Sequence, residues 1–172
     1  IEKVDIRDNE TITSLLNTLM PDVVILNGAI KGLDNCEKNL AALNTNVFSH
    51  KPFMEYALSN ENVHTIYIST DMVFSGCLNP PFTENDYTLA DNAYGIMKVA
   101  SEQLMKLLSK YSIVRTALVY GPMSSQEKLK HRENLQADEL MNQSHLIHWA
   151  IERSNCDYEV RLANNIYSSP TF

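Results

Sequence analysis

The stretch Pro21-Asp22-Val23-Val24-Ile25-Leu26-Asn27-Gly28-Ala29 decides the fold. Four consecutive apolar residues, three of them β-branched, stand between the turn punctuation of Pro21-Asp22 and that of Asn27-Gly28. A short, uniformly apolar run of this kind reads as a strand buried on both faces of a parallel sheet. Upstream, Ile12, Leu15, Leu16 and Leu19 recur at helical spacing between Asn9 and Met20, and Val4 to Asp8 reads as the end of a short strand. Downstream, a helical stretch from Cys36 to Ser59 contains Pro52, which must kink or divide it. His64 to Ser69 is the next strand, and Gly76 to Asn92, with Pro80 and Pro81, is a long loop of the kind that is usually functional in a compact domain. Ala93 to Lys110 is a helix with Val99, Ala100, Leu104, Leu107 and Leu108 along one side, and Ile113 to Tyr120 is a further strand. Strand alternating with helix predicts a doubly wound α/β sheet, whose ligand sites lie at the carboxyl ends of its strands.

Candidate chemistry falls at those ends. Thr70 and Asp71 follow the apolar run that closes at Ser69, and Tyr94 and Lys98 open the next helix four residues apart. Residues at that spacing share a helix face, so an ammonium at 98 favours the phenolate of 94. A tyrosine, whose ordinary pKa is about 10, exchanges protons usefully only with such help. The Thr70 hydroxyl is placed to hold a carbonyl against that phenol, which together is equipment for carbonyl reduction. The plainer reading of Tyr94 and Lys98 is a surface helix pair, and of Thr70 and Asp71 a strand end with a capped turn.

The 172 residues, 44% of them hydrophobic, suffice for one core and a small appendage. A net charge of -7 without a basic patch argues against a polyanion binder. The apolar runs fall far short of the ~20 residues of a membrane span, and the chain opens on no signal-peptide pattern, so a soluble, cytoplasmic protein is expected. Cys36, Cys77 and Cys156 are widely spaced and read as reduced thiols. His145 and His148 share a helix face but lack a completing ligand set, so no metal is expected. Arg115 reads as the partner of a loop carboxylate.

Taken in order, Val4-Asp5-Ile6-Arg7-Asp8, Pro21 to Ala29, Leu33-Asp34-Asn35-Cys36-Glu37, Thr45-Asn46, Ser69-Thr70-Asp71-Met72-Val73-Phe74-Ser75-Gly76, Pro81 to Asp86, Tyr94-Gly95-Ile96-Met97-Lys98, Arg115-Thr116 and Ser169-Pro170-Thr171 resemble the extended short-chain dehydrogenase/reductases. Within that group the sequence is most similar to the dTDP-4-dehydrorhamnose reductase family. The resemblance implies a Rossmann-like NAD(P)-binding domain over residues 1–122, and part of a substrate-binding lobe over 123–172, where a polar stretch, a helix and a strand-like Tyr158 to Leu162 are expected. It implies Thr70, Tyr94 and Lys98 as catalytic residues, with Asp5, Ile6, Asn27, Gly28, Ala29, Lys31, Tyr94, Lys98 and Thr116 along the cofactor. Thr70, Asp71, Met72 and Leu118 would meet the substrate. The implied activity is NADPH-dependent reduction, with NADH possible, of the C4 keto group of a nucleotide-linked 4-keto-6-deoxyhexose, in dTDP- or UDP-rhamnose synthesis. Neither nucleic acid nor membrane is an expected partner, and a homodimer is.

Two departures accompany the matches. The family's glycine-rich phosphate turn does not precede Val4, so an N-terminal strand-helix-strand segment is expected to lie outside this sequence. Met72 and Leu118 stand where the reductases carry aromatic residues. The alternative reading is a regulatory, non-catalytic NADP-binding subunit similar to that of methionine adenosyltransferase, which shares much of the same pattern.

Overall fold

The computed structural model describes residues 3–78 and 80–117. The chain divides into two units after Arg115, and nearly all of the described residues lie in the first. Leu118, His145, His148 and the expected helix and strand of the tail fall outside the described residues.

The first helix, α1 (Asn9–Leu19), begins where the Asp8 carboxylate accepts hydrogen bonds from the Thr11 N–H and hydroxyl, and ends where Met20 turns left-handed at φ 43° ahead of Pro21. Val4 to Asp8, expected as a strand, is instead a turn. The Asp5 carboxylate folds back onto the Arg7 N–H and guanidinium, and the Asp8 N–H donates to the Asp5 carbonyl, so the backbone reverses rather than extends.

Strand β1 (Val23–Leu26) pairs in parallel with β2 (His64–Thr70), Val23 opposite His64 and Leu26 opposite Tyr67. β3 (Tyr111–Thr116) lies on the other side of β2, giving the order β1-β2-β3. Between β1 and β2 run α2 (Leu33–Glu37), α3 (Leu40–Asn46), a 3-10 turn at Phe48–His50, and α4 (Lys51–Ser59). Pro52 does not kink a helix. It divides the stretch instead, the other outcome expected, by occupying the first turn of α4, where its missing N–H has no helical partner to lose, and a further break at Lys38 and Asn39 makes three helices. The loop after β2 and the helix α5 (Ala93–Met105) complete the unit, and the loop is closed on itself where the Gly76 N–H meets the Leu89 carbonyl at 2.7 Å.

The core packs Ile12 and Leu16 of α1, Met54 and Ala57 of α4 and Met105 of α5 against Val24, Leu26 and Tyr67 of the sheet. β1 is therefore buried on one face only. Val23 and Ile25 remain 52% and 62% exposed, contrary to the expectation of a strand covered on both sides, because α1, α4 and α5 all supply core residues to the face carrying Val24 and Leu26. The buried side of α5 also differs from its expected apolar stripe. It runs through Gly95, Met97, Lys98, Ser101, Glu102 and Met105, while Ala100 and Leu107 face solvent.

Candidate active site

Three segments meet at the carboxyl end of the sheet: the Asn27–Lys31 loop after β1, the end of β2 with its 3-10 turn Asp71–Phe74, and the first turns of α5. Thr70 is the last residue of β2. Its hydroxyl accepts from the Met72 N–H and donates to the Asp71 carboxylate, each at 3.2 Å, so it caps the turn that follows. The start of α5 is fixed independently by Asn92, whose side chain accepts from the Gly95 N–H at 2.8 Å and donates to the Ser75 hydroxyl. Gly95 is required at its position. A Cβ there would stand 2.6 Å from the Met72 carbonyl oxygen and 2.8 Å from Ala90 Cβ, so the bare helix turn lets α5 press onto the turn after Thr70.

Tyr94 and Lys98 share the inward face of α5, as their spacing predicts. Lys98 is only 4% exposed. Its ammonium donates to the Ile68 carbonyl at 2.9 Å and lies 4.8 Å over the Tyr67 ring, nearer than the 5.8 Å that separates it from the Tyr94 ring. Burial, with Lys31 as a second cation, brings the Lys98 pKa down to about 8. Burial also pushes the Tyr94 phenol up to about 12, with Cys36 and Asp71 acting in the same direction. This is opposite to the shift expected from lysine help. With the ammonium drawn to Ile68 and Tyr67, desolvation dominates at Tyr94.

The loop after β1 is held by Asn46. Its side-chain oxygen accepts from the Ile30 N–H at 2.8 Å and its amide donates to the Ile30 carbonyl at 3.0 Å, so one buried side chain satisfies both backbone groups. Asn27, Gly28 and Lys31 are exposed along this loop and Ala29 is half-buried. Ile6 comes beside Gly28, its Cδ1 3.0 Å from where a glycine-replacing Cβ would sit. Asp5 turns away toward Arg7, 2.6 Å distant, and that pairing holds its carboxyl at about 2. Met72 lies within the 3-10 turn, and Thr116 closes β3.

Behind Thr70 lies a buried polar network. Glu102, fully buried, receives two hydrogen bonds from Arg115, at 2.9 and 2.7 Å, and one from the Ser69 hydroxyl at 2.6 Å. Arg115 thus pairs with a helix carboxylate, not with the loop carboxylate expected, and it takes only a carbonyl, that of Glu84, from the loop. Asn46, Tyr67 and Glu102 were not among the sequence candidates. Glu102 carried a signal, since Tyr94, Lys98 and Glu102 follow at steps of four along one helix.

The family model described as the RmlD substrate binding domain matches residues 1–141. The chain belongs to that family. Among RmlD-type relatives, the spore coat polysaccharide biosynthesis protein SpsK of Bacillus subtilis is 31% identical over 121 residues, which cover 69% of this chain and 42% of that protein. Methionine adenosyltransferase 2 subunit beta of Rattus norvegicus is 30% identical over 129 residues, 74% of this chain and 38% of the relative. A solved dTDP-4-dehydrorhamnose reductase from Bacillus anthracis, in complex with NADP, superposes with a TM-score of 0.62 at 27% identity, covering 80% of this chain and 50% of that one. The chain therefore spans about two fifths of the length of these curated relatives. The fold is the α/β, parallel-sheet architecture of Rossmann-type reductases and epimerases. Among the described residues no helix is long and apolar enough to cross a membrane.

Proposed function

We propose that the protein is an NADPH-dependent reductase of the C4 keto group of a nucleotide-linked 4-keto-6-deoxyhexose, with Thr70, Tyr94 and Lys98 as its catalytic residues. The observation that carries this reading is the convergence of a strand-end hydroxyl, a half-buried phenol and a desolvated ammonium on one edge of a parallel sheet, in a chain similar to NADP-bound and rhamnose-forming reductases.

The residues fit a dinucleotide at its reacting end. Lys98 has three donor protons, of which one is used by Ile68, and the exposed Asn27–Gly28 backbone lets a sugar approach closely. Asn27, Gly28, Ala29, Lys31 and Lys98 would line the cofactor, with Ile6 packed beside Gly28 and Asp5 at its margin. When bound, the nicotinamide supplies hydride.

The protein's part is to hold the carbonyl and to supply a proton. The 3.2 Å bond from Thr70 to Asp71 is long for a hydroxyl donor, so the hydroxyl turns readily to a carbonyl oxygen. Tyr94, with its pKa near 12, stands fully protonated at neutral pH. That is the state required of the group that gives its proton to the oxygen becoming an alcohol. Lys98 would hold the cofactor with the donor protons that Ile68 leaves free, and its charge, 5.8 Å from the Tyr94 ring, would favour the phenolate left behind. Asp71 and Met72, on the turn that follows Thr70, would face the sugar.

Replacing Tyr94 by Phe should leave NADPH affinity within about twofold and lower turnover of a dTDP-linked 4-keto-6-deoxyhexose by at least about a hundredfold. Steady-state rates with fluorescence titration of NADPH measure both. An unchanged rate would remove Tyr94 as proton donor. The similarity to methionine adenosyltransferase 2 subunit beta supports a second reading, a regulatory NADP-binding subunit. In that case cofactor binds tightly and no sugar is turned over.

A further inference from the structure

We infer that Arg115 is a positioning residue that fixes the Gly76–Asn92 loop over the Thr70 end of β2; the inference deepens the reductase reading and rests on it for its kinetic consequence. Arg115 lies near the end of β3, its side chain only 17% exposed, and each of its three nitrogens donates a hydrogen bond. Nε and Nη2 fork onto the two Glu102 carboxylate oxygens. Nη1 donates to the Glu84 carbonyl at 3.3 Å, halfway along the loop. The Phe74 ring lies 5.0 Å beneath the guanidinium carbon, and Phe82 of the loop stacks on Phe74 at 4.7 Å between ring centroids.

One side chain therefore touches three pieces of the site and reaches a fourth through Glu102. Glu102 carries the load to α5, one turn beyond Lys98 and two beyond Tyr94. Through the Ser69 hydroxyl it reaches the residue before Thr70. Glu84 and Phe82 carry it to the middle of the loop, and Phe74 to the turn that presents Asp71 and Met72. The base of the loop is closed separately, by the Gly76 to Leu89 bond and by Ser75 with Asp91 and Asn92. Its far half, Phe82 to Asp86, has an internal turn between Thr83 and Asp86 but is joined to the body of the unit, in the bonds and ring contacts described, through Arg115 and Phe74. A lysine at 115 would keep the charge but lose the planar fork, the third donor direction and the stacking surface.

Hydrogen exchange and kinetics on the complete protein test the inference. In Arg115→Lys, amides of Phe82 to Asp86 should exchange at least about tenfold faster, with a smaller acceleration around Ser69 and Glu102, whose buried carboxylate loses its fork. Phe82→Leu, which leaves the Glu102 pair intact, should accelerate Phe82 to Asp86 at smaller amplitude with β2 and α5 within about twofold, and guards against an Arg115 variant that fails to fold. With the dTDP-linked keto sugar, both variants should raise KM about fivefold or more, and Phe82→Leu, in which the Glu102 network behind Thr70 and α5 is intact, should hold kcat within about twofold. Unchanged exchange over Phe82 to Asp86 in both variants overturns the inference, as does acceleration spread evenly over the unit. Loop-confined acceleration in a protein whose parent turns over no sugar upholds the tether and overturns only the reductase reading.

Discussion

At Lys98 and Tyr94 the decisive quantity is desolvation. Spacing places both groups on one face of α5, and burial then moves each toward its neutral form, the lysine down to about 8 and the phenol up to about 12. The consequence for stability has a definite sign. Between pH 8 and 10 the unfolded chain keeps a proton on Lys98, whose ordinary pKa is 10.5, that the folded protein has released. The unfolded state then binds more protons, so stability rises with pH across that window, by at most on the order of 2 kcal/mol. Above pH 10 the raised phenol reverses the trend, since the folded state is then the one holding the extra proton. Denaturation midpoints measured from pH 7 to 10 should show the rise in the parent and a flatter profile in Lys98→Met. Equal slopes in the two proteins would mean that Lys98 is not the group responsible. The placement of Tyr94 and Lys98 on one face of α5 and of Thr70 at the end of β2 was legible from their order and spacing. Asn46 and Tyr67 were not, because a lone Asn in a helix and a Tyr in a strand have no local pattern, and their value arises only when the loop after β1 and the ammonium of α5 arrive beside them.

The elements were legible where the sequence punctuates them. β1 follows Pro21-Asp22 as read, and the loop from Gly76 to Asn92 is where proline and asparagine put it. What misled was the assumption that apolar means buried: β1 leaves Val23 and Ile25 exposed, and the inward side of α5 is lined by Lys98, Ser101 and Glu102, each satisfied by a partner from another segment. Such pairing is invisible to periodicity. The contact between α5 and the Asp71–Phe74 turn depends on a missing side chain. Gly95→Ala gains up to about 1 kcal/mol of helix propensity, yet it places a methyl carbon 2.6 Å from the Met72 carbonyl oxygen, where backbone must give way. Overpacking of this kind costs about 1–3 kcal/mol, so the clash outweighs the propensity gain. The variant should be destabilised by about 1 kcal/mol or more and should lose a larger share of activity than of stability, because the shift separates Tyr94 from Thr70. Thermal melts and turnover measured side by side check this, and a variant more stable than the parent would refute the tight approach.

For the whole molecule, sequence and fold agree on an RmlD-type chain whose described unit presents one edge rich in polar chemistry. The fold class was readable because strand and helix alternate with clear breaks. The one-sided burial of β1 was not, because burial on its second face depends on which elements pack there rather than on the strand's own residues. The unit brings together most of the candidate residues, Ile6 and Asn27 to Lys31 on one side and Thr70 to Met72 with Tyr94 and Lys98 on the other, while Asp5 is engaged with Arg7. The central claim is that this edge reduces a sugar ketone. The measurement that tests it most directly is the oxidation of NADPH by the complete protein on mixing with dTDP- and UDP-linked 4-keto-6-deoxyhexoses, with the product sugar identified by mass and NMR. Loss of NADPH matched by an equal amount of the 4-hydroxy sugar is the expected result. Tight NADPH binding with no oxidation in the presence of either sugar would contradict it.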